Sequence, residues 1–217
     1  MIKLISKTTF YPDKDFKSTN DFMSDEEMIV SIARVSTSKD FNFNPNNPSK
    51  LITYLLENQH WSPFEMIDYT FFIKTSISIS KQLIRHKSFS FQELSRRYSN
   101  KNLEFETIQL RKKRQVYEND SVQGAVDIFV DYAKDLYDSL IKQGIDREVA
   151  RFILPQNTST NLYMKGSLRS WLTFFLQRDT NHAQDEVRII ANEIKDILEL
   201  HVPNVIRCFY DKYIDFK

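Results

Sequence analysis

The stretch RHKSFSFQELSRRYS, Arg85 to Ser99, poses the question on which the reading of this chain turns. Arg85, Lys87, Arg96 and Arg97 stand there with His86, with the hydroxyls of Ser88, Ser90, Ser95 and Ser99, and with the carboxylate of Glu93. Phe89, Phe91 and Leu94 interleave with them, and no glycine is present. The chain as a whole carries a formal net charge of +1, so an anion site must be a local concentration of charge such as this one. One reading is a solvated basic loop that follows a helix. The other is a binding loop. If the loop folds back over the helix before it, Gln82, Arg85, Ser95 and Arg97 converge, and their guanidinium groups and hydroxyls face one anion. Glu93, held among cations, then accepts hydrogen bonds from a ligand's hydroxyl groups.

Outward from that stretch, the glycine content narrows the choice. Gly124, Gly144 and Gly166 are the three glycines of 217 residues, too far apart for GxGxxG or a P-loop. Phosphate must therefore be held by side chains, and arginine's planar fork matches phosphate oxygens in pairs. The length suits one domain, 1–217, with a sizeable core. Cys208 is the one cysteine, which excludes an internal disulfide and a multi-cysteine metal site; it reads as a buried structural thiol, and no metal is expected. No run approaches eighteen apolar residues and the start lacks a signal peptide's apolar core, so no membrane span and a cytoplasmic location are expected. RKKR at Arg111–Arg114 suggests nucleic acid, but the acids of YENDS offset it, and no nucleic-acid partner is expected.

Patterning gives alternating α and β elements. Residues 2–10 read as a strand, Ser24 to Val35 as a helix with acids at its start, and Ser49–Gln59 as a second helix. The polar stretch Thr37–Ser49 reads as a loop. Ile67–Ile73, aromatic and β-branched, reads as a central strand. A short helix from about Ser80 puts Gln82 and Arg85 on one face. Asp120–Lys142 is a long helix ended by Gly144, and Asp146–Leu154 a short one stopped by Pro155. Leu168–Gln177 and a last helix marked by Val187, Ile190, Ile194 and Ile197 complete the pattern, the latter ending before Pro203. Trp171 reads as core and His201 as structural.

The opening stretch resembles the signature of the flavin-dependent thymidylate synthases, RHRxxxxxxxSxR, with Arg85, His86, Ser95 and Arg97 matching and Lys87 in place of the third arginine. ARVS at Ala33–Ser36, HWSPFE at His60–Glu65, REVARFILP at Arg147–Pro155 and LRSWLTFFLQRDTNHAQDEVR at Leu168–Arg188 resemble the family's other blocks, in the family's order. The resemblance spans roughly residues 28–200. It implies an α+β fold, a mostly antiparallel sheet flanked by helices. It also implies synthesis of dTMP from dUMP, with methylenetetrahydrofolate supplying the carbon, reduced FAD the hydride, and NADPH reducing the flavin. Homotetramers with active sites shared between chains are implied as well. The cysteine-dependent thymidylate synthases use a thiolate in a proline-cysteine-histidine setting, which Cys208 does not share.

Carried over position by position, the resemblance gives Gln82, Arg85, Glu93, Ser95, Arg97, Arg151 and Arg178 to the nucleotide, with Ser95 and Arg97 near its phosphate. Arg178 meets the uracil ring and, with Ser95, is the candidate catalytic residue. Ser36, His60, Ser62, Arg85, His86, Lys87, Glu93, Arg169, Thr173 and His182 go to the flavin, with Arg169 and His182 also near the folate pocket. Taken alone, His60 reads as a satisfied loop histidine and His182 as a helix-terminus group. Glu148 either pairs with Arg151 on a helix surface or meets the ligand. Met66, Ser167 and Thr173 stand where members commonly carry histidine and two asparagines. Two alternatives stay open: a relative that forms a hydroxymethylated nucleotide, and a non-catalytic nucleotide-binding protein.

Overall fold

The computed structural model describes residues 1–9, 23–36, 48–99 and 103–214. In chain order the elements are β1 (Ile2–Lys7), α1 (Asp25–Arg34), α2 (Pro48–Glu57), α3 (Ser62–Glu65), β2 (Asp68–Ser76), α4 (Ile77–Leu83), β3 (Ser90–Glu93), β4 (Arg111–Lys112) and β5 (Gln115–Val116). There follow α5 (Asp120–Lys142), α6 (Arg147–Ala150), a 3-10 turn (Arg151–Ile153), β6 (Ser159–Ser167), α7 (Leu168–Arg178), α8 (Asp185–Glu199) and α9 (Pro203–Tyr213). Most of the expected Thr37–Ser49 loop lies outside the described residues, and Pro48 and Ser49 already open α2. No helix among the described residues is long and apolar enough to cross a membrane.

The fold is α+β, as expected. Four strands run in the order β1-β2-β6-β3. Hydrogen bonds at the strand ends fix their directions. Thr8 N–H donates to the Asp68 carbonyl (3.0 Å) and Lys74 N–H to that of Met1 (3.0 Å), so β1 and β2 are antiparallel. Leu168 N–H donates to Ile67 (2.7 Å) and Ile77 N–H to Thr158 (2.9 Å), which sets β6 antiparallel to β2. Leu94 N–H on Asn161 (2.8 Å) begins the β3–β6 pairing in the same sense. β2 is thus central, with Tyr69, Phe71 and Ile73 buried along one face at the two-residue period of a strand.

The chain forms two compact units whose limits fall inside β2, β3 and β6: Met1, Ile73–Arg85 and Gln92–Leu162 make one, and Ile2–Phe72, His86–Phe91 and Tyr163–Lys217 the other. In the first, Asn119 caps α5 by accepting from Val122 N–H (3.0 Å), and Gly144 at φ 81° closes it. Tyr137 packs on Ala150 and Leu154, with Leu103, Phe105 and Ile153 around them. The basic RKKR segment is the β4–β5 hairpin, whose turn residues Lys113 and Arg114 both take positive φ (51° and 68°), as a two-residue hairpin turn requires.

In the second unit Phe71, Trp171, Phe174 and Phe175 form a fully buried aromatic core, covered by Val187, Ile190 and Ile194 of α8 and by Val205, Ile206 and Phe209 of α9. The α1 start is a capping box between Ser24 and Glu27. α9 is an element that the sequence pattern does not announce. Pro203 reads as a stop, whereas it occupies the first turn of a new helix, where its missing N–H costs nothing. Buried Glu26 completes that start by accepting from the N–H groups of Asn204 (2.6 Å) and Val205 (3.1 Å). Trp171 is fully buried, as read, and His201 Nδ1 lies 3.4 Å from Lys7 Nζ. The Cys208 thiol is half-buried rather than buried, 3.3 Å from Thr53 Oγ1.

Candidate functional site

The Arg85–Ser99 stretch is built differently at its two ends. α4 begins at Ile77 and ends at Leu83, earlier than expected, because Ser76 opens it as N-cap residue and Ile84 closes it with its N–H on Ser80 (2.9 Å). Gln82 therefore stays on the helix, half-buried, while Arg85 lies beyond it and is exposed. The expected shared helical face is not formed. After β3, which leaves Glu93 half-buried, the chain turns at Ser95, whose carbonyl accepts from the N–H groups of Tyr98 and Ser99 (both 3.3 Å).

The two adjacent arginines then part. Arg96 is buried and donates from Nη2 to the Ser159 carbonyl (2.7 Å), with burial lowering its pKa from the usual value. It anchors the turn to β6. Arg97 is exposed, and its Nη2 and Nε meet Glu148 Oε2 at 3.0 and 3.2 Å. The helix-surface pairing of Glu148 with Arg151 is not formed: the carboxylate takes Arg97, and Arg151 Nε donates to the Glu148 backbone carbonyl (3.3 Å). Arg147 Nη1 donates to the Tyr98 carbonyl (3.1 Å). Arg97, Arg147 and Glu148 line a surface cavity of about 470 Å³. The Arg97–Glu148 pair is exposed on both sides, and exposed pairs of this kind contribute only about 0–1 kcal/mol.

In the second unit the central feature is Arg178, the last residue of α7. Its Nε donates to His86 Nε2 at 2.9 Å. The imidazole is buried, with Phe89 and Phe174 at 6.3 and 5.0 Å in edge-on contact. Burial first and the Arg178 charge second lower the His86 pKa to about 4, so the ring is neutral near pH 7. Lys87 and Ser88 are exposed beside it, and the Ser88 carbonyl accepts from Ser170 Oγ (3.2 Å). Ser167 caps α7 by accepting from Ser170 N–H (3.3 Å). Exposed Thr173 donates to the Arg169 carbonyl (3.0 Å). Arg169 pairs with Glu65 and lies 5.8 Å above the Trp61 ring. His60 and Ser62 flank that tryptophan and are exposed; His60 meets Tyr54 edge-on at 5.8 Å, and its N–H donates to Leu55 (2.8 Å). Ser36 is exposed after α1 and donates to Ala33 (3.0 Å); Met66 is exposed after α3. His182 lines a cavity of about 550 Å³ with Asp179, Asn181 and Arg188. Among the described residues no group of three or more His, Cys, Asp or Glu is placed to hold a metal.

Residues 20–204 match the sequence profile of a family described as thymidylate synthase complementing protein. The chain belongs to this family. It is 39% identical over 198 residues to a flavin-dependent thymidylate synthase of Synechocystis, covering 84% of this chain and 88% of the relative. It is 36% identical over 196 residues to a probable flavin-dependent thymidylate synthase of Paramecium bursaria Chlorella virus 1, covering 84% and 89%. A flavin-dependent thymidylate synthase of Thermosipho africanus is 32% identical over 209 residues, covering 91% of each chain. Within the family's blocks, the sequence did not mark Arg96, which anchors the turn before Arg97, Glu65, which pairs with Arg169, or Phe89, which packs against His86.

Proposed function

We propose that the protein is a flavin-dependent thymidylate synthase: it converts dUMP to dTMP, with methylenetetrahydrofolate as carbon donor, FAD as cofactor and NADPH as the flavin's reductant. The observation that carries the reading is Arg97, presented at a cavity beside Arg147 and paired with the exposed carboxylate of Glu148, in a chain with no glycine-rich phosphate loop. The names of the relatives agree with it.

Ser95 and Arg97 hold the nucleotide phosphate, with Gln82, Arg85 and Arg151 completing the nucleotide contacts and Glu93 taking a sugar hydroxyl. Arg178 faces the uracil ring, where a fixed cation stabilises the negative charge that develops on the pyrimidine. No protein nucleophile is needed, and Ser95 acts through its hydrogen bond. The donor set of the second unit fits FAD: exposed Lys87 and Arg169 suit a pyrophosphate, and Ser36, His60, Ser62, Thr173 and His182 supply further donors. Glu93, Arg85 and His86 are assigned to the same cofactor, and Arg169 and His182 also border the folate. Reduced FAD, when bound, supplies the hydride that completes the methyl group.

The reading includes one family domain, a cytoplasmic setting, and a homotetramer in which different chains contribute to each active site. One face of α5 supports assembly. Ile128 is 71% exposed, Tyr132 64% and Phe129 57%, with Leu136 one turn further on. Apolar side chains at this spacing form a stripe suited to a second copy. Anaerobic incubation with dithionite-reduced FAD, dUMP and methylenetetrahydrofolate is expected to yield dTMP, and the purified protein to show bound-flavin absorption. A hydroxymethylated nucleotide as sole product, or no turnover and no nucleotide binding, refutes the proposal.

A further inference from the structure

Arginine's catalytic value at a pyrimidine depends on where its fork points, and that direction is not set by α7 alone. Arg178 ends the helix, with Asp179 already outside helical geometry (φ −97°, ψ 56°). A long side chain at a helix end has several rotamers of similar energy. Here His86, 92 positions earlier in the chain, takes the Arg178 Nε–H at 2.9 Å.

The chemistry of that bond is unambiguous. Arginine has only donors, so His86 Nε2 must offer a lone pair, and the ring proton resides on Nδ1. An imidazolium would set a second N–H against the guanidinium and add a like charge. The surroundings disfavour that state: the ring is 9% exposed, and Phe174 and Phe89 meet it edge-on. Phe174 belongs to the same helix as Arg178, one turn earlier, so imidazole and guanidinium are registered against a common element. Phe89 is itself confined by Trp171 at 4.5 Å. The imidazole has little room to rotate, and a bond to Nε limits the swing of the guanidinium plane.

We propose that His86 is a positioning residue for Arg178: an acceptor, held in place by the aromatic rings around it, that fixes the plane of the guanidinium before substrate arrives. The inference rests on the reading of Arg178 as the cation that stabilises charge on the pyrimidine. Direct contact of His86 with the flavin is then left to its Nδ1–H, because the Nε2 lone pair is already committed.

Two measurements test it, one independent of activity. Nitrogen-15 spectra of the histidine side chains, with His86 assigned by its loss in His86→Gln, are expected to show a neutral ring protonated at Nδ1 from pH 8 down to pH 6. A proton on Nε2, or an imidazolium at pH 6, overturns the proposal even if the protein proves to have no synthase activity. The second measurement is turnover at saturating dUMP and folate. Glutamine places an acceptor oxygen near the position of Nε2, whereas leucine fills the space without one. His86→Leu is expected to lower turnover tenfold or more with dUMP affinity changed less than threefold, and His86→Gln to recover to within about threefold of the unaltered protein. Equal turnover in His86→Leu and the unaltered protein overturns the inference, as does a His86→Gln variant no faster than His86→Leu. If the unaltered protein makes no dTMP, the functional reading fails and the spectra still decide the tautomer.

Discussion

Replacing Gly166 by alanine tests whether the aromatic packing behind Arg178 is as tight as its distances imply. A methyl group on Gly166 would sit 2.5 Å from Phe89 Cδ1, 2.6 Å from Cε1 and 3.2 Å from Ser170 Cβ. Carbon atoms rest at about 3.5–4.0 Å, so the ring must retreat by about 1 Å. It has nowhere soft to go: Trp171 is 4.5 Å away centroid to centroid, and Phe174, Phe91 and His86 stand at 6.1, 6.2 and 6.3 Å. Overpacking of this kind costs about 1–3 kcal/mol, and a rigid ring wedged on its far side belongs in the upper half of that range. Alanine restricts the unfolded chain and gives back about 0.5–1 kcal/mol. The net expectation is a loss of about 1–2.5 kcal/mol, or roughly 2–10 °C in melting temperature for a chain of this size. Scanning calorimetry of Gly166→Ala, Phe89→Leu and the double variant measures it. Leucine removes the ring edge that the methyl strikes, so the alanine penalty should shrink in that background. A Gly166→Ala protein that melts with or above the unaltered one, or a penalty undiminished in the Phe89→Leu background, refutes the packing argument.

Arg97→Ala should weaken dUMP about ten- to a hundredfold by calorimetry, because it removes hydrogen bonds from a charged donor worth about 1.5–3 kcal/mol, while Arg178→Ala should chiefly lower single-turnover rates. Ser95→Ala should still form dTMP at saturating dUMP; complete loss of product with dUMP affinity intact would identify Ser95 as a nucleophile. The pH dependence of stability carries a sign. His86 titrates near 4 when folded against about 6.5 when unfolded, so the unfolded chain takes the proton first. Its contribution is whole above about pH 6.5 and is lost as pH falls toward 4. Denaturant midpoints at pH 7 and pH 5 should therefore differ more for the unaltered protein than for His86→Leu, and equal differences would contradict the assignment. Tyr132→Asp should reduce the mass seen by light scattering, since it sets a charge in the exposed apolar face of α5; an unchanged mass would remove that face from the assembly.

Local chemistry made much of this protein legible in its sequence. The limits of α5 follow from Asn119 and Gly144, and the start of α1 from Ser24 and Glu27, because caps and the 3.6-residue period act within a turn or two. The scarcity of glycine directed attention to arginine for phosphate, and the spacing from Arg85 to Arg97 marked the family. Tertiary structure decided the rest. β6 opens on Ser159, Thr160 and Asn161, which together carry no strand signal, and the alternation of Leu162 and Met164 with Tyr163 and Lys165 is too short to announce it; pairing with β2 completes the strand. Glu148 had a sequence neighbour in Arg151 but took Arg97, 51 positions away. Of two adjacent arginines, one was buried as an anchor and the other left at a cavity, a distinction their shared chemistry cannot carry. His86 and Arg178 lie 92 positions apart, and no periodicity links them. Their bond exists because Phe89, Trp171 and Phe174 pack into one core, and the burial that results is what keeps the imidazole neutral.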